Sequence, residues 1–283
     1  MSGLSPAEPY SAGFCEREYN ARATVPEHKD FLVRWASRSA MARERLSCYP
    51  DLAYGTGEKH TVDLFPCTDS RGLLVFIHGG YWRSLDKSDF SFVAEPFVAH
   101  GIAVAAVNYS LCPAVTIASI VDECAKAFAW IDKATDRFGL ADKPIVIAGH
   151  SAGGHLAAML HTMDWDKRGV NVARIKGTTA ISGLYDLEPL LNTSMNGDIR
   201  LERTQLGQIS PIHLSARLQK PLLPFSGSLE SSEFQRQSRL LHAAWPALCR
   251  APVNLPGCHH FSVVDHFADP GGIAFRATLA LFG

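Results

Sequence analysis

The run Gly149-His150-Ser151-Ala152-Gly153 is a G-x-S-x-G pattern, and it is the strongest chemical signal in the chain. A serine hydroxyl is a weak nucleophile until a neighbouring base takes its proton, after which it attacks acyl carbons. The pattern alone arises by chance in roughly one chain in ten of this length, so its surroundings must carry the inference. It follows the apolar run Ile145 to Ala148 and precedes the helix-compatible stretch His155 to Leu160. Strand, sharp turn and helix in that order set a serine at a helix N-terminus. The flanking glycines remove side chains that would clash, and the dipole favours developing negative charge.

Acyl attack creates an oxyanion, which needs preorganised N–H donors. Ala152, directly after the serine, is expected to supply one. His78-Gly79-Gly80-Tyr81-Trp82 follows the apolar run Leu73 to Ile77. There Gly79, Gly80 and Tyr81 form the expected second arm, with Gly80, Tyr81 or both donating. The base should come late, because the chain order is serine, then acid, then histidine. Pro256-Gly257-Cys258-His259-His260-Phe261 reads as a loop at a strand end, which favours His260, with His259 as its alternative. His242 lies in a helical-looking stretch and His266 lies further along; His78 and His155 read as structural. The acid accepts the Nδ1–H of the histidine and stabilises its charged form. Phe225-Ser226-Gly227-Ser228-Leu229-Glu230 offers Glu230, with Glu233 as rival; Asp186 and Asp265 fit the chain order less well. Tyr81, Trp82 and Tyr185 are expected as walls of an aromatic leaving-group site.

These residues need a scaffold that brings distant segments together. Leu73 to Ile77, Ile102 to Val107 and Ile145 to Ala148 are apolar at every position, as in strands covered on both faces of a parallel sheet. Between the second and third, Val121, Cys124, Ala125, Phe128 and Ile131 recur at helical spacing, which gives a βαβ rhythm with a right-handed crossover. Thr61 to Phe65 alternates and reads as an edge strand. Thr178 to Ile181, Leu222 to Phe225 (weakened by Pro224) and Val253 to Leu255 read as later strands. Residues 14 to 47 suggest an N-terminal helical excursion, and residues 185 to 215 a cap or lid. With no repeat or linker, residues 1–283 are expected to form one domain of the α/β class.

With 47% hydrophobic and 19% charged residues, the chain has ample apolar surface for a core. The net charge of -1 and the mixing of signs argue against a nucleic-acid partner. No apolar stretch approaches the ~18 residues of a membrane span, and the N-terminus does not read as a secretory signal. Seven cysteines without a C-x-x-C pair suggest free thiols in a reducing cytoplasm. A zinc hydrolase using His259, His260 and Asp265 is the metal alternative. Adjacent histidines rarely face one ion, however, and no H-E-x-x-H helix is present. A non-catalytic binding module would normally have lost the serine, the histidine or the oxyanion glycines. No cofactor is expected, and the expected partner is a small-molecule substrate; a homodimer is left open.

Together these motifs carry a resemblance. His78 to Trp82 (HGGYW) is similar to the sequence that marks the arylformamidase (kynurenine formamidase) group of α/β-hydrolases. Gly149 to Gly154 resembles its elbow, Glu233 to Ser238 its EFxRQS segment, and His260-Phe261 its histidine followed by phenylalanine. Tyr19-Asn20-Ala21-Arg22 resembles the opening of bacterial members. The resemblance implies the α/β-hydrolase fold, a mostly parallel central sheet flanked by helices. It also implies metal-independent hydrolysis of N-formylkynurenine to kynurenine and formate. A carboxylesterase acting on small aryl or short-acyl esters, or related amides, is the alternative. The acid position, commonly aspartate in the group, is matched here by Glu230.

Overall fold

The computed structural model describes residues 10–283. The first nine residues, part of the stretch read for a secretory signal, lie outside the described residues. Among the described residues there are eight strands: β1 (Tyr49–Ala53), β2 (Thr61–Phe65), β3 (Gly72–Ile77), β4 (Ile102–Val107), β5 (Ile145–His150), β6 (Ile175–Ile181), β7 (Leu222–Gly227) and β8 (Val253–Leu255). They form one sheet in the order β1-β2-β4-β3-β5-β6-β7-β8. β2 is antiparallel to both β1 and β4, and every other pairing is parallel. This is the α/β-hydrolase architecture. The continuously apolar β3, β4 and β5 are buried at every position, as expected of central strands under two helical layers.

Two strand readings change. β1 carries no clear period and is not legible in the sequence. Its presence makes β2 second from the edge, not the edge strand expected. The alternation in β2 is misleading because Asp63, which looks solvent-facing, is only 2% exposed. It pairs with Lys87 Nζ at 2.8 Å and accepts the Asp51 N–H at 2.9 Å. Pro224 is tolerated within β7 for a geometric reason. The Leu222 N–H points away from β6 toward Leu248, and the nitrogen two residues on faces the same side. β8 pairs with β7 only from Phe225 onward, so no ladder bond is lost.

The N-terminal excursion is three helices: α1 (Ala12–Tyr19), α2 (Ala21–Thr24) and α3 (His28–Arg45). After them come α4 (Ala94–Ala99), α5 (Ile117–Ala134), α6 (Ala152–Met159), α7 (Trp165–Arg168), α8 (Asn196–Ile199), α9 (Leu206–Ile209), α10 (Ser232–Ala244), α11 (Ser262–Phe267) and α12 (Ile273–Ala280). α5 buries Val121, Cys124, Ala125, Phe128 and Ile131, the stripe read from its spacing, together with Ile117 and Ile120. α3 is pinned at two places. Arg43 donates to the Ser88 carbonyl (2.6 Å) and Ser91 Oγ (2.9 Å), while Asp265 accepts from Arg34 (2.6 Å), Arg38 (2.7 Å) and Trp35 Nε1 (3.1 Å). Among the described residues no helix is long and apolar enough to cross a membrane, and all seven cysteines are unpaired.

Candidate active site

β5 ends at His150 and α6 begins at Ala152, so Ser151 is the whole turn between them, at φ 56° and ψ -118°. A non-glycine residue in such a conformation stores about 1–3 kcal/mol of strain and persists only when its surroundings over-determine it. Here they do. The Ser151 N–H is held by the Ile181 carbonyl at 2.8 Å. The flanking glycines allow strand and helix to close on each other. A Cβ at Gly149 would stand 2.1 Å from the Gly153 carbonyl oxygen, and one at Gly153 2.0 Å from the Ile77 oxygen.

Ser151 Oγ faces His260 Nε2 at 3.0 Å, and His260 Nδ1 donates to Glu230 Oε1 at 2.5 Å. The other oxygen of Glu230 accepts the Gly227 N–H at 2.6 Å and the Ser182 hydroxyl at 2.8 Å. Glu230 comes from the turn after β7 and His260 from the loop after β8, so the sheet brings together residues that are 109 and 30 positions apart. The ring of His150 tilts against that of His260 at 4.8 Å, and its Nε2 donates to the His260 carbonyl at 2.9 Å. Burial first, and then the charge of His260, holds the His150 pKa well below its ordinary value. His150 is thus a neutral prop for the His260 backbone.

The loop after β3 lies against this turn. A Cβ at Gly79 would meet the His150 carbonyl oxygen at 2.9 Å and Ser151 Cβ at 3.2 Å. Gly80, Tyr81 and Trp82 follow with φ of 115°, 51° and 54°. Ties on every side hold this strained run. Arg83 and Ser84 donate their N–H groups to the Gly80 carbonyl at 3.1 Å, His78 Nδ1 donates to the Gly79 carbonyl at 2.7 Å, and the Tyr109 hydroxyl donates to the His78 carbonyl at 2.8 Å. Among the described residues no acceptor takes the N–H of Gly79, Gly80 or Tyr81. Ala152, first in α6, has no intrahelical partner for its own. A serine beside a base and several unclaimed amides can open an acyl carbon and hold the oxyanion that results.

The BD-FAE family model matches residues 66–244, a span that includes Ser151 and Glu230. The kynurenine formamidase of Salmo salar is 30% identical over 77% of this chain and 76% of its own length. The chain belongs to the kynurenine formamidase family. The Danio rerio kynurenine formamidase is 28% identical over 87% of this chain and 86% of its own. A crystal structure from Silicibacter sp. tm1040, provisionally named a thioesterase, superposes with a TM-score of 0.83 at 34% identity, covering 93% of this chain and 98% of that one. Like its kynurenine formamidase relatives, the chain is a hydrolase.

In this member of the kynurenine formamidase family, the pocket over Ser151 is a narrow cleft of about 30 Å³. Gly80, Tyr81, His150, Ser151 and His260 form one side, and Leu32, Trp35, Leu85 and Phe261 an apolar wall. Ala21 and Arg22 complete the lining. No residue of 185–215, the segment expected as a lid, is among the lining; the N-terminal helices take that place. The 185–215 segment folds as short helical turns, and its Ile209 carbonyl accepts from His155 Nε2 at 2.7 Å.

Two further expectations are corrected. Trp82 and Tyr185 are fully buried and do not wall the pocket. The left-handed backbone at Trp82 turns its indole inward, edge-on to His155 at 5.0 Å. Tyr185 packs in a small cluster with Ala158, Leu222, Leu241 and Trp245. Tyr81 does line the pocket, and its hydroxyl donates to the Tyr19 carbonyl. Glu233 turns away from His260, accepting from the Tyr19 hydroxyl at 2.7 Å and pairing with Arg236 at 2.8 Å. His259 Nδ1 accepts the N–H groups of Phe261 (3.2 Å) and Ser262 (3.3 Å), and Asp265 is taken up by α3. Among the described residues, no group of three or more His, Cys, Asp or Glu is placed to share a metal ion.

The N-terminal contribution to the lining, and the supporting roles of Ser182, Gly227 and His150, are not legible in the local sequence. The family-like Tyr19-Asn20-Ala21-Arg22 segment is the one sequence signal for the first of these.

Proposed function

We propose that the chain hydrolyses N-formylkynurenine to kynurenine and formate, with Ser151 as nucleophile, His260 as general base and acid, and Glu230 as the orienting acid. The observation that carries this is the unbroken line Ser151–His260–Glu230, at 3.0 and 2.5 Å, opening beneath unclaimed backbone amides. His260 Nε2 takes the hydroxyl proton as Ser151 Oγ bonds to the formyl carbon. The carbonyl electrons move to oxygen, which the amides of Ala152 and of Gly80 or Tyr81 receive. Collapse of this intermediate breaks the C–N bond, and the proton on His260 passes to the departing aryl amine. Water, deprotonated by the same ring, then releases formate and restores Ser151. Glu230 holds the Nδ1 proton in place and offsets the imidazolium charge.

Ester cleavage is the second reading. The apolar wall of Leu32, Trp35, Leu85 and Phe261 suits an aryl or alkyl leaving group of either kind. A cytoplasmic setting is supported by seven unpaired thiols, since oxidising compartments favour disulfides. The test is kcat/KM on N-formyl-L-kynurenine beside short-chain p-nitrophenyl esters in the presence of EDTA, with Ser151→Ala as control. Preference for the formamide, lost in the variant, is the expected result. Ser151-dependent turnover of esters alone would replace it with the esterase reading.

A further inference from the structure

Arg22 is the cation in the pocket lining. Among the described residues its side chain has one hydrogen-bond partner, Ser84 Oγ at 2.9 Å, and no carboxylate pairs with it. Its neighbour Arg83 pairs with Asp198, while Arg34 and Arg38 of α3 share Asp265. The acid of the site, Glu230, is buried and faces His260, Ser182 and Gly227. Partial burial and the nearby charge of Arg83 lower the Arg22 pKa, yet a guanidinium stays protonated at neutral pH. Among the described residues, therefore, no carboxylate pairs with the positive charge at the rim of the pocket.

The placement of this charge is built. Ala21 is buried, and the Asn20 side chain caps α2 by accepting the Ala23 N–H at 3.2 Å. The Tyr19 hydroxyl is anchored by Glu233 at 2.7 Å and Gln237 at 2.9 Å, and its carbonyl accepts from Tyr81. These ties join the segment carrying Arg22 to the same loop that presents the Gly80 and Tyr81 amides. Its register over Ser151 is thus set by the fold rather than by a flexible arm.

We infer that Arg22 is a specificity-determining residue that receives a carboxylate on the leaving-group side of the substrate. This rests on the hydrolytic reading above and deepens it. The small formyl group sits at the amides, the aryl ring lies along Leu32, Trp35 and Phe261, and an amino-acid carboxylate reaches the rim. A guanidinium fork matches a carboxylate bidentately, so the site selects anionic aryl formamides over neutral ones.

The test compares N-formyl-L-kynurenine with N-formylkynuramine, its analogue lacking only the carboxylate, in wild type, Arg22→Ala and Arg22→Lys. A charge-assisted contact of this kind sets a preference of about 10- to 100-fold. Wild type should favour the carboxylate substrate by that factor, mainly through KM, and added salt should erode the preference. Arg22→Ala should abolish it, and Arg22→Lys should restore part of it. Equal kcat/KM for both substrates in wild type, or equal losses on both in Arg22→Ala, overturns the assignment of Arg22 and leaves the formamidase reading standing. Failure of wild type to cleave either formamide overturns both.

Discussion

Replacing Glu230 by glutamine exchanges one carboxylate oxygen for an NH₂ and should silence the site through the tautomer of His260. Glu230 Oε2 accepts from the Gly227 N–H at 2.6 Å and from Ser182 at 2.8 Å, while Oε1 accepts from His260 Nδ1 at 2.5 Å. A backbone N–H can only donate, so a glutamine must turn its carbonyl oxygen toward Gly227. Its NH₂ then faces His260 Nδ1, which must accept. The ring proton moves to Nε2, 3.0 Å from Ser151 Oγ, where it blocks uptake of the serine proton. A wrong tautomer in Ser-His-Asp proteases lowers kcat about 10⁴-fold, equivalent to about 5.5 kcal/mol of barrier. Glu230→Asp keeps the charge but shortens the arm, so one carboxylate no longer spans His260 and Gly227; a loss of about 100-fold is expected from such a displacement. The assay is steady-state kcat and KM for Glu230→Gln, Glu230→Asp and Glu233→Gln, with circular dichroism confirming the fold. Retention of more than about a tenth of wild-type kcat in Glu230→Gln would refute the orienting role. An equal loss of kcat in Glu233→Gln would move that role to the rival.

Gly153→Ala places a Cβ 2.0 Å from the Ile77 carbonyl oxygen, whereas Gly197→Ala meets nothing within 4 Å. The first should cost about 3 kcal/mol or more and the second almost none, as read by thermal melts; equal melting temperatures would sink the close-approach account of the turn. Burial pulls the pKa of His78, His155 and His161 down to about 4, while the unfolded chain takes up these protons near 6.5. The folded values lie below the unfolded one, so the stability they contribute is complete above pH 6.5 and drains as pH falls toward 4. The loss amounts to about 3 kcal/mol per ring at pH 4; urea midpoints that stay level from pH 7 to 4.5 would contradict it. Asp265→Ala leaves Trp35 Nε1 without its acceptor and frees two arginines. It should lower stability by about 1–3 kcal/mol and raise KM, because Trp35 lines the pocket; an unchanged melt and KM would show that the clasp does not hold the roof.

Much of the site was legible because it depends on local rules. The strained turn at Ser151 needs Gly149 and Gly153 beside it, and an amide-presenting loop needs Gly79 and Gly80, so those residues stand together in the chain. Buried parallel strands are apolar throughout, which made β3, β4 and β5 visible with nearly correct ends. Side-chain direction was not legible in the same way. Trp82 sits in the most specific motif of the chain yet points into the core, because a positive φ at that residue swings the indole away from its neighbour Tyr81. Asp63 reads as solvent-facing until Lys87, 24 residues on, is folded over it.

The chain order of serine, glycines, late histidine and a nearby carboxylate was therefore determined by the sequence alone, since each is tied to the end of a strand. The choice of Glu230 over Glu233, only three residues apart, was made by tertiary structure. Glu230 lies in the turn after β7, aimed at the β8 loop, whereas Glu233 lies in the first turn of α10, where Tyr19 and Arg236 claim it. The roof over Ser151 is likewise a long-range outcome. Residues 21 to 35 cover the site because α3 is clasped by Asp265, more than two hundred positions away. Contacts between such distant segments leave no periodic mark in either one.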